Sequence, residues 1–211
     1  MRSTITRRNE PTPKLCFGSP ASITVVVAVA EPSPEGEFHP SADELVSGNR
    51  RFAESFDSHL LEVSPTRHMA IVTCMDSRMD IFALLGLGNG EAHIIRNAGG
   101  VITDDVVRSL CLSQRYLGTR EVVLVHHTDC GLQKVTEDGF KADVERDTGI
   151  KPWFAVESFD DPYVELRHSM RRREMNPFVP FKGNVRGFVY DVQTGHLEEV
   201  ALDDDRVDSD S

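Results

Sequence analysis

The sequence predicts an α/β fold, a mainly parallel central β-sheet flanked by helices. Two observations predict it. From residue 69 onward, short apolar runs bounded by glycine and polar residues alternate with helical windows. Such alternation requires crossover connections, and therefore parallel strands with helices on the sheet faces. The length, 211 residues, supplies one core and is too short for two full-sized domains.

Residues 1–40 read differently from the rest, holding six of the 11 prolines. A single apolar run, Ile-Thr-Val-Val-Val-Ala-Val-Ala at residues 23–30, interrupts them. Four basic residues precede it and Ala28-Val29-Ala30 resembles a signal-peptidase site, but about 8 apolar residues is short for a signal core. Residues 1–40 are read as a disordered extension and the location as cytoplasmic. Ser41 and Glu44 form a Ser-x-x-Glu capping box that opens a helix to about residue 56. Its apolar residues, Leu45, Val46, Phe52 and Phe56, need a surface to lie against, in this subunit or in a partner.

Met69-Ala70-Ile71-Val72-Thr73 reads as a buried strand, followed by a short helix over 79–85 and a glycine-rich turn at 86–90. Residues 92–96 form a second strand, ended by Asn97-Ala98-Gly99-Gly100. Thr103 caps the next helix, with Asp104 and Asp105 in its first turn and Val107, Leu110, Cys111 and Leu117 on its apolar face. Residues 121–126 are the clearest strand. Helices are expected over 132–147 and 162–175, then two short strands over 185–190 and 197–201. Residues 203–211 carry five Asp and one Arg and are expected to be a disordered acidic tail. Residues 41–202 thus form one predicted domain.

The formal net charge is -11. That excludes a general nucleic-acid binder, since phosphates would be repelled. No run approaches the roughly 18 apolar residues of a membrane span, so a small soluble substrate is expected. Four cysteines, Cys16, Cys74, Cys111 and Cys130, are too few for a disulfide scaffold. Cys111 reads as a core thiol, and Cys16 is given no role.

In parallel sheets ligands collect at the carboxyl ends of strands. Cys74-Met75-Asp76-Ser77-Arg78 follows the first strand and His127-Thr128-Asp129-Cys130 the third, so both can face one cleft. Two thiols and an imidazole are the donors of a Cys2His zinc site that leaves one position open, the pattern of a catalytic zinc. A redox pair of Cys74 and Cys130 competes with this reading, although no Cys-x-x-Cys is present. His126 and His93 could carry a proton, but both read first as ordinary strand histidines. The glycines at 86–90 precede a strand, so they do not form a nucleotide loop. Asn97 to Gly100 reads as a tight turn about as readily as an anion-binding loop.

Cys-x-Asp-x-Arg, then His-x-x-Cys beginning 53 residues after the first Cys, resembles the β-class carbonic anhydrases, in their short, compact branch. Arg96-Asn97-Ala98-Gly99 and His127-Thr128-Asp129-Cys130-Gly131 extend the resemblance, which spans roughly residues 41–201. It implies one Zn²⁺ per chain on Cys74, His127 and Cys130, and an Asp76–Arg78 dyad. Asp76 in that pattern either accepts a hydrogen bond from the zinc's water or becomes the fourth ligand. The Gly131 N–H is implied as a donor to bicarbonate. The sheet order implied is 2-1-3-4 plus a further strand, in a homodimer or higher homo-oligomer. Many members carry a Gln ahead of the first Cys; residues 60–68 offer no clear counterpart. The implied reaction is reversible hydration of carbon dioxide to bicarbonate and a proton. The alternatives are hydrolysis of carbonyl sulfide or carbon disulfide on the same fold, and a non-catalytic zinc-binding module.

Overall fold

The computed structural model describes residues 41–57 and 61–202. The expectations for residues 1–40 and 203–211 lie outside the described residues. The elements run α1 (Ala42–Glu54), β1 (Met69–Cys74), α2 (Ile81–Leu85), β2 (Ala92–Asn97), α3 (Asp104–Tyr116), β3 (Glu121–His127), α4 (Glu137–Thr148), α5 (Pro162–Met175), β4 (Val185–Tyr190) and β5 (Leu197–Val200). The five strands form one sheet in the order β2-β1-β3-β4-β5. All neighbours are parallel except β4 and β5, which are antiparallel. The short Asp191-to-His196 turn explains that exception, because two strands joined so closely can pair only as a hairpin. Asp191 Oδ1 accepts from the Gln193 and Thr194 N–H groups and shapes the turn.

The strand period of two sorts the core onto both sheet faces. Ala70, Val72, Val122 and Leu124 face one side, where Ile102, Val106 and Leu110 by α3 and Leu166 and Met170 of α5 cover them. Ile71, Val123 and Val125 face the other, with Met79, Ile81, Cys74 and Cys130. Both of those thiols therefore belong to the second apolar layer.

Helix starts follow capping chemistry at α2, α3, α4 and α5, where Asp80, Thr103, Thr136 and Asp161 accept from backbone N–H groups. The Ser41 capping box does not form: only backbone bonds close that turn, and the Ser41 side chain caps nothing. No residue of α1 is buried, so its first turn has no packing to hold a cap in place. The predicted helix over 132–147 splits into a 3-10 turn, Gly131–Lys134, and α4. Thr136 accepts from the Gly139 N–H and restarts the helix. On α3 the buried residues are Val106, Leu110, Ser113 and Gln114, while Cys111 is only partly buried. The inward face is thus rotated towards Ser113, which is engaged by His93 and Thr119.

Gly100 decides how closely the turn after β2 approaches β1. Its φ is 72°, and an added Cβ would lie 2.9 Å from the Cys74 amide nitrogen and 2.9 Å from the Thr73 carbonyl carbon. Both contacts are backbone, so neither can rotate away. Gly100→Ala is expected to cost at least about 2 kcal/mol, lowering the melting temperature by roughly 4–8 °C. A thermal melt by circular dichroism checks this; an unchanged midpoint would contradict it.

Candidate metal centre

β1 and β3 lie side by side, with Thr73 opposite Val125, so their carboxyl ends open into one cleft. Cys74 ends β1, His127 ends β3, and Cys130 follows three residues on. The ligand atoms of these three side chains lie within 4.8 Å of one another, and all three residues are buried. The Cys74 and Cys130 sulfurs are 4.0 Å apart.

The imidazole is oriented by its backbone. His127 Nδ1 lies 2.9 Å from the Thr128 carbonyl oxygen, which can only accept, so the proton sits on Nδ1. Nε2 is left with its lone pair directed into the cleft. It is buried and has no hydrogen-bond partner, an arrangement that costs free energy unless a cation or donor fills it. Two soft thiols and an orphaned imidazole nitrogen fit a borderline-soft metal ion.

The thiols titrate as a pair. The hydrogen bond from Cys130 holds the Cys74 thiol down to about 4 against the opposing effect of burial, with help from His127. Sharing that proton, and burial, push the Cys130 thiol upward. Burial lowers the His127 pKa, but the neighbouring Cys74 sulfur, the Thr128 carbonyl and the Asp76 carboxylate outweigh it and raise the net value. The cluster is thus an anionic pocket whose two sulfurs share one proton, and a metal ion would replace that proton.

Asp76 stands beside it, with Oδ2 3.8 Å from His127 Nε2. Arg78 grips this carboxylate in a fork, Nε to Oδ1 at 3.0 Å and Nη2 to Oδ2 at 2.7 Å. The hydrogen bond from Arg78 holds the Asp76 carboxyl well below the usual carboxylate range, despite partial burial. Arg96 on β2 clamps the same loop, donating Nε to the Cys74 carbonyl and Nη2 to the Asp76 carbonyl. Gln133 holds the other loop by accepting from the Cys130 N–H and donating to the Asp160 carbonyl.

A cavity of about 170 Å³ opens at the cluster, lined by Cys74, Met75, Asp76, Gly99, Cys130 and Leu132, with Ala98 and Gly131 completing it. It is smaller than the roughly 300–1,000 Å³ of pockets that take drug-sized ligands. Gly131 presents no side chain there, and its N–H heads the Gly131–Lys134 turn, where first-turn donors lack intrahelical partners.

The two strand histidines lie elsewhere. His126 is fully buried, donates Nε2 to the Gly100 carbonyl and stacks on Phe159. Burial pushes its pKa down to about 4. His93 pairs with Ala70 while Asn97 pairs with Cys74. That places it about 13 Å down the strands from the cluster, at 3.3 Å per residue. Arg96, Gln133 and Asp129 carry no role in the sequence reading, because their contacts depend on how three separate loops meet. Asp129 had one signal, its place inside the His127-to-Cys130 block.

A family model described as "Carbonic anhydrase" matches residues 69–177. Beta-carbonic anhydrase 1 of Mycobacterium tuberculosis is 51% identical over 158 residues, covering 75% of this chain and 96% of the relative. Carbon disulfide hydrolase of Acidianus sp. is 33% identical over 162 residues, covering 63% of this chain and 77% of the relative. The solved carbonic anhydrase of Streptococcus mutans superposes with a TM-score of 0.73 at 38% identity, covering 78% of this chain and 99% of that one.

Cys74→Ser, His127→Ala and Cys130→Ser are each expected to lower bound metal, from one ion per chain, by more than about tenfold. Cys111→Ser should leave it unchanged. Elemental analysis after dialysis reads both outcomes, and metal loss in Cys111→Ser alone would contradict the ligand set. The strand order, the cluster at the ends of β1 and β3, and the relatives agree: the chain belongs to the β-carbonic anhydrase family.

Proposed function

We propose that this chain hydrates carbon dioxide reversibly, with one zinc ion held by Cys74, His127 and Cys130. One observation carries the proposal. A buried thiol–thiol–imidazole cluster offers three donors, and an arginine-held carboxylate faces it at 3.8 Å from His127 Nε2. A structural zinc needs its ligands but no such carboxylate.

Bound there, zinc supplies a Lewis acid that acidifies a water molecule, less strongly with two thiolates than with three histidines, for which the water pKa is about 7. Every other part is the protein's. His127 offers Nε2 because the Thr128 carbonyl holds its Nδ1–H. Asp76 accepts the hydrogen bond of the attacking water and turns its lone pair towards the cavity. Arg78 keeps that carboxylate ionised and aimed. Carbon dioxide carries no charge to grip, and the side chains of Leu132, Ala98 and Met75 give it an apolar wall. The Gly131 N–H donates to an oxygen of the bicarbonate as charge develops. His126 is sealed in the core and His93 is far down β2, so neither carries the proton away.

The 51% relative is named a carbonic anhydrase, whereas the carbon disulfide hydrolases stand at 33% and below. That ordering favours carbon dioxide over the sulfur analogues. We further propose a homodimer or higher homo-oligomer. α1 exposes Leu45, Val46 and Phe52 and buries nothing within its own subunit. An apolar groove of about 530 Å³ between β2 and α3, lined in part by Phe82, Ile95, Leu112 and Leu117, offers a second copy a seat. Among the described residues no helix is long and apolar enough to cross a membrane.

Stopped-flow hydration of carbon dioxide by zinc-loaded protein, from about pH 6 to pH 9, tests the activity. Arg78 keeps Asp76 ionised across this range, so Asp76 contributes no titration there. The rate is expected to rise with pH as the water deprotonates, because thiolate ligands weaken the metal's acidity. Asp76→Asn should lower the alkaline rate about 10²-fold with zinc retained. Arg78→Ala should shift the profile further alkaline, since a freed Asp76 competes for the open position. No hydration at any pH, with turnover of carbon disulfide instead, would overturn the substrate assignment. Light scattering at micromolar concentration should give at least a dimer, and Phe52→Asp should weaken it; a fully active wild-type monomer would contradict the assembly.

A further inference from the structure

Arg78 is the hub of an ion-pair chain running from Asp76 through Asp129 to Lys134. Its Nε and Nη2 donate to the two Asp76 oxygens. Its Nη1 donates to Asp129 Oδ2 at 2.8 Å, and Nη2 also donates to the Asp129 carbonyl at 2.9 Å. Lys134 Nζ takes the other Asp129 oxygen, Oδ1, at 2.8 Å. Asp129 adopts a left-handed backbone, φ 54°, with its carbonyl and carboxylate both on the same guanidinium. Arginine has five N–H donors in a rigid fork. Here that fork spans two loops, the one after β1 that carries Asp76 and the one after β3 that carries Cys130.

We propose that Asp129, backed by Lys134, is a positioning residue that holds Arg78 in the orientation keeping the Asp76 carboxylate off the open position beside Cys74, His127 and Cys130. The proposal rests on the metal-site reading above. A carboxylate oxygen is an ordinary zinc ligand, and Asp76 Oδ2 needs only a short rotation to become one. Arg78 alone cannot prevent that. It sits two residues from Asp76 on the same loop, so the pair can turn together. A fixed reference on the opposite loop is required, and Asp129, next to Cys130, supplies it. Arg96 from β2 holds only the Cys74 and Asp76 carbonyls, and the Arg78 N–H holds only Asp76 Oδ1, so Oδ2, the oxygen facing the cluster, is kept by the guanidinium alone. His127 and the two thiols are the remaining titratable groups at the cluster, and none of them anchors Arg78. Exposed ion pairs are individually weak, so the restraint lies in the forked geometry shared between two loops.

The test is thiocyanate titration of the cobalt-substituted enzyme, followed by its visible absorption, in wild type, Asp129→Ala and the Asp76→Ala/Asp129→Ala double variant. Losing a negative charge beside the site would by itself tighten anion binding. The clamp predicts the opposite: Asp76 moves onto the metal, and thiocyanate binds about fivefold or more weakly in Asp129→Ala. Removing Asp76 as well should restore it. Unchanged or tighter binding in Asp129→Ala, or a loss that persists in the double variant, would overturn the proposal. If Asp129→Ala does not fold, Lys134→Ala decides. It should weaken thiocyanate binding about twofold, only while Asp76 is present; no weakening overturns the clamp. Wild type that passes the titration but hydrates no carbon dioxide would overturn the proposed activity and leave the clamp standing. Wild type that takes up no cobalt would overturn both.

Discussion

The parallel pairing of β1 with β3 is the constraint on which the site depends. It brings the end of one strand, Cys74, beside the end of the next, His127, and Cys130 arrives after a short loop. Parallel strands leave their carboxyl ends together by construction. The crowding this causes is tolerated because Gly100 carries no Cβ where the turn after β2 meets the backbone of Thr73 and Cys74. The cost is a buried imidazole nitrogen without a partner and two thiols sharing a proton. A metal ion relieves both at once, which is why the protein-only cluster is a poor resting place for these groups.

A second layer of contacts acts on orientation rather than ligation. The Thr128 carbonyl selects the His127 tautomer, Arg96 pins the backbone of the Cys74-to-Asp76 loop, and Gln133 pins the Cys130 amide. Arg78 fixes a carboxylate that would otherwise be free to act as base, acceptor or ligand. These contacts tie the loops after β1 and β3 to each other's strand ends and to β2. The site is thus held by the sheet's geometry and not by any one segment.

Much of this was legible in the sequence. The strands announce themselves through Val and Ile runs, and their parallel arrangement follows from alternation with helices. The donor residues sit just past strand ends, where parallel sheets collect ligands. What was not legible is contact between loops distant in sequence. Asp129 reads as a spacer until the fold places it 2.8 Å from Arg78. Arg173 ends a run of three arginines on α5, and only the fold shows that it is fully buried and donates to the Phe181 and Lys182 carbonyls. His126 reads first as an ordinary strand histidine and only second as a proton carrier, and its ring, sealed against Phe159, fits the first. The amphipathic pattern of α1 was legible, but among the described residues no part of α1 is buried, and its Leu45, Val46 and Phe52 stand exposed.

The central claim is that the cluster binds zinc through Cys74, His127 and Cys130 while Arg78 retains Asp76. Anomalous diffraction from zinc-loaded crystals grown near pH 7.5 tests it most directly. The account predicts one zinc peak at about 2.3 Å from each sulfur and about 2.0 Å from His127 Nε2, with Asp76 still forked to Arg78. A peak bonded to Asp76 with Arg78 turned away, or no peak at these three residues, would contradict it.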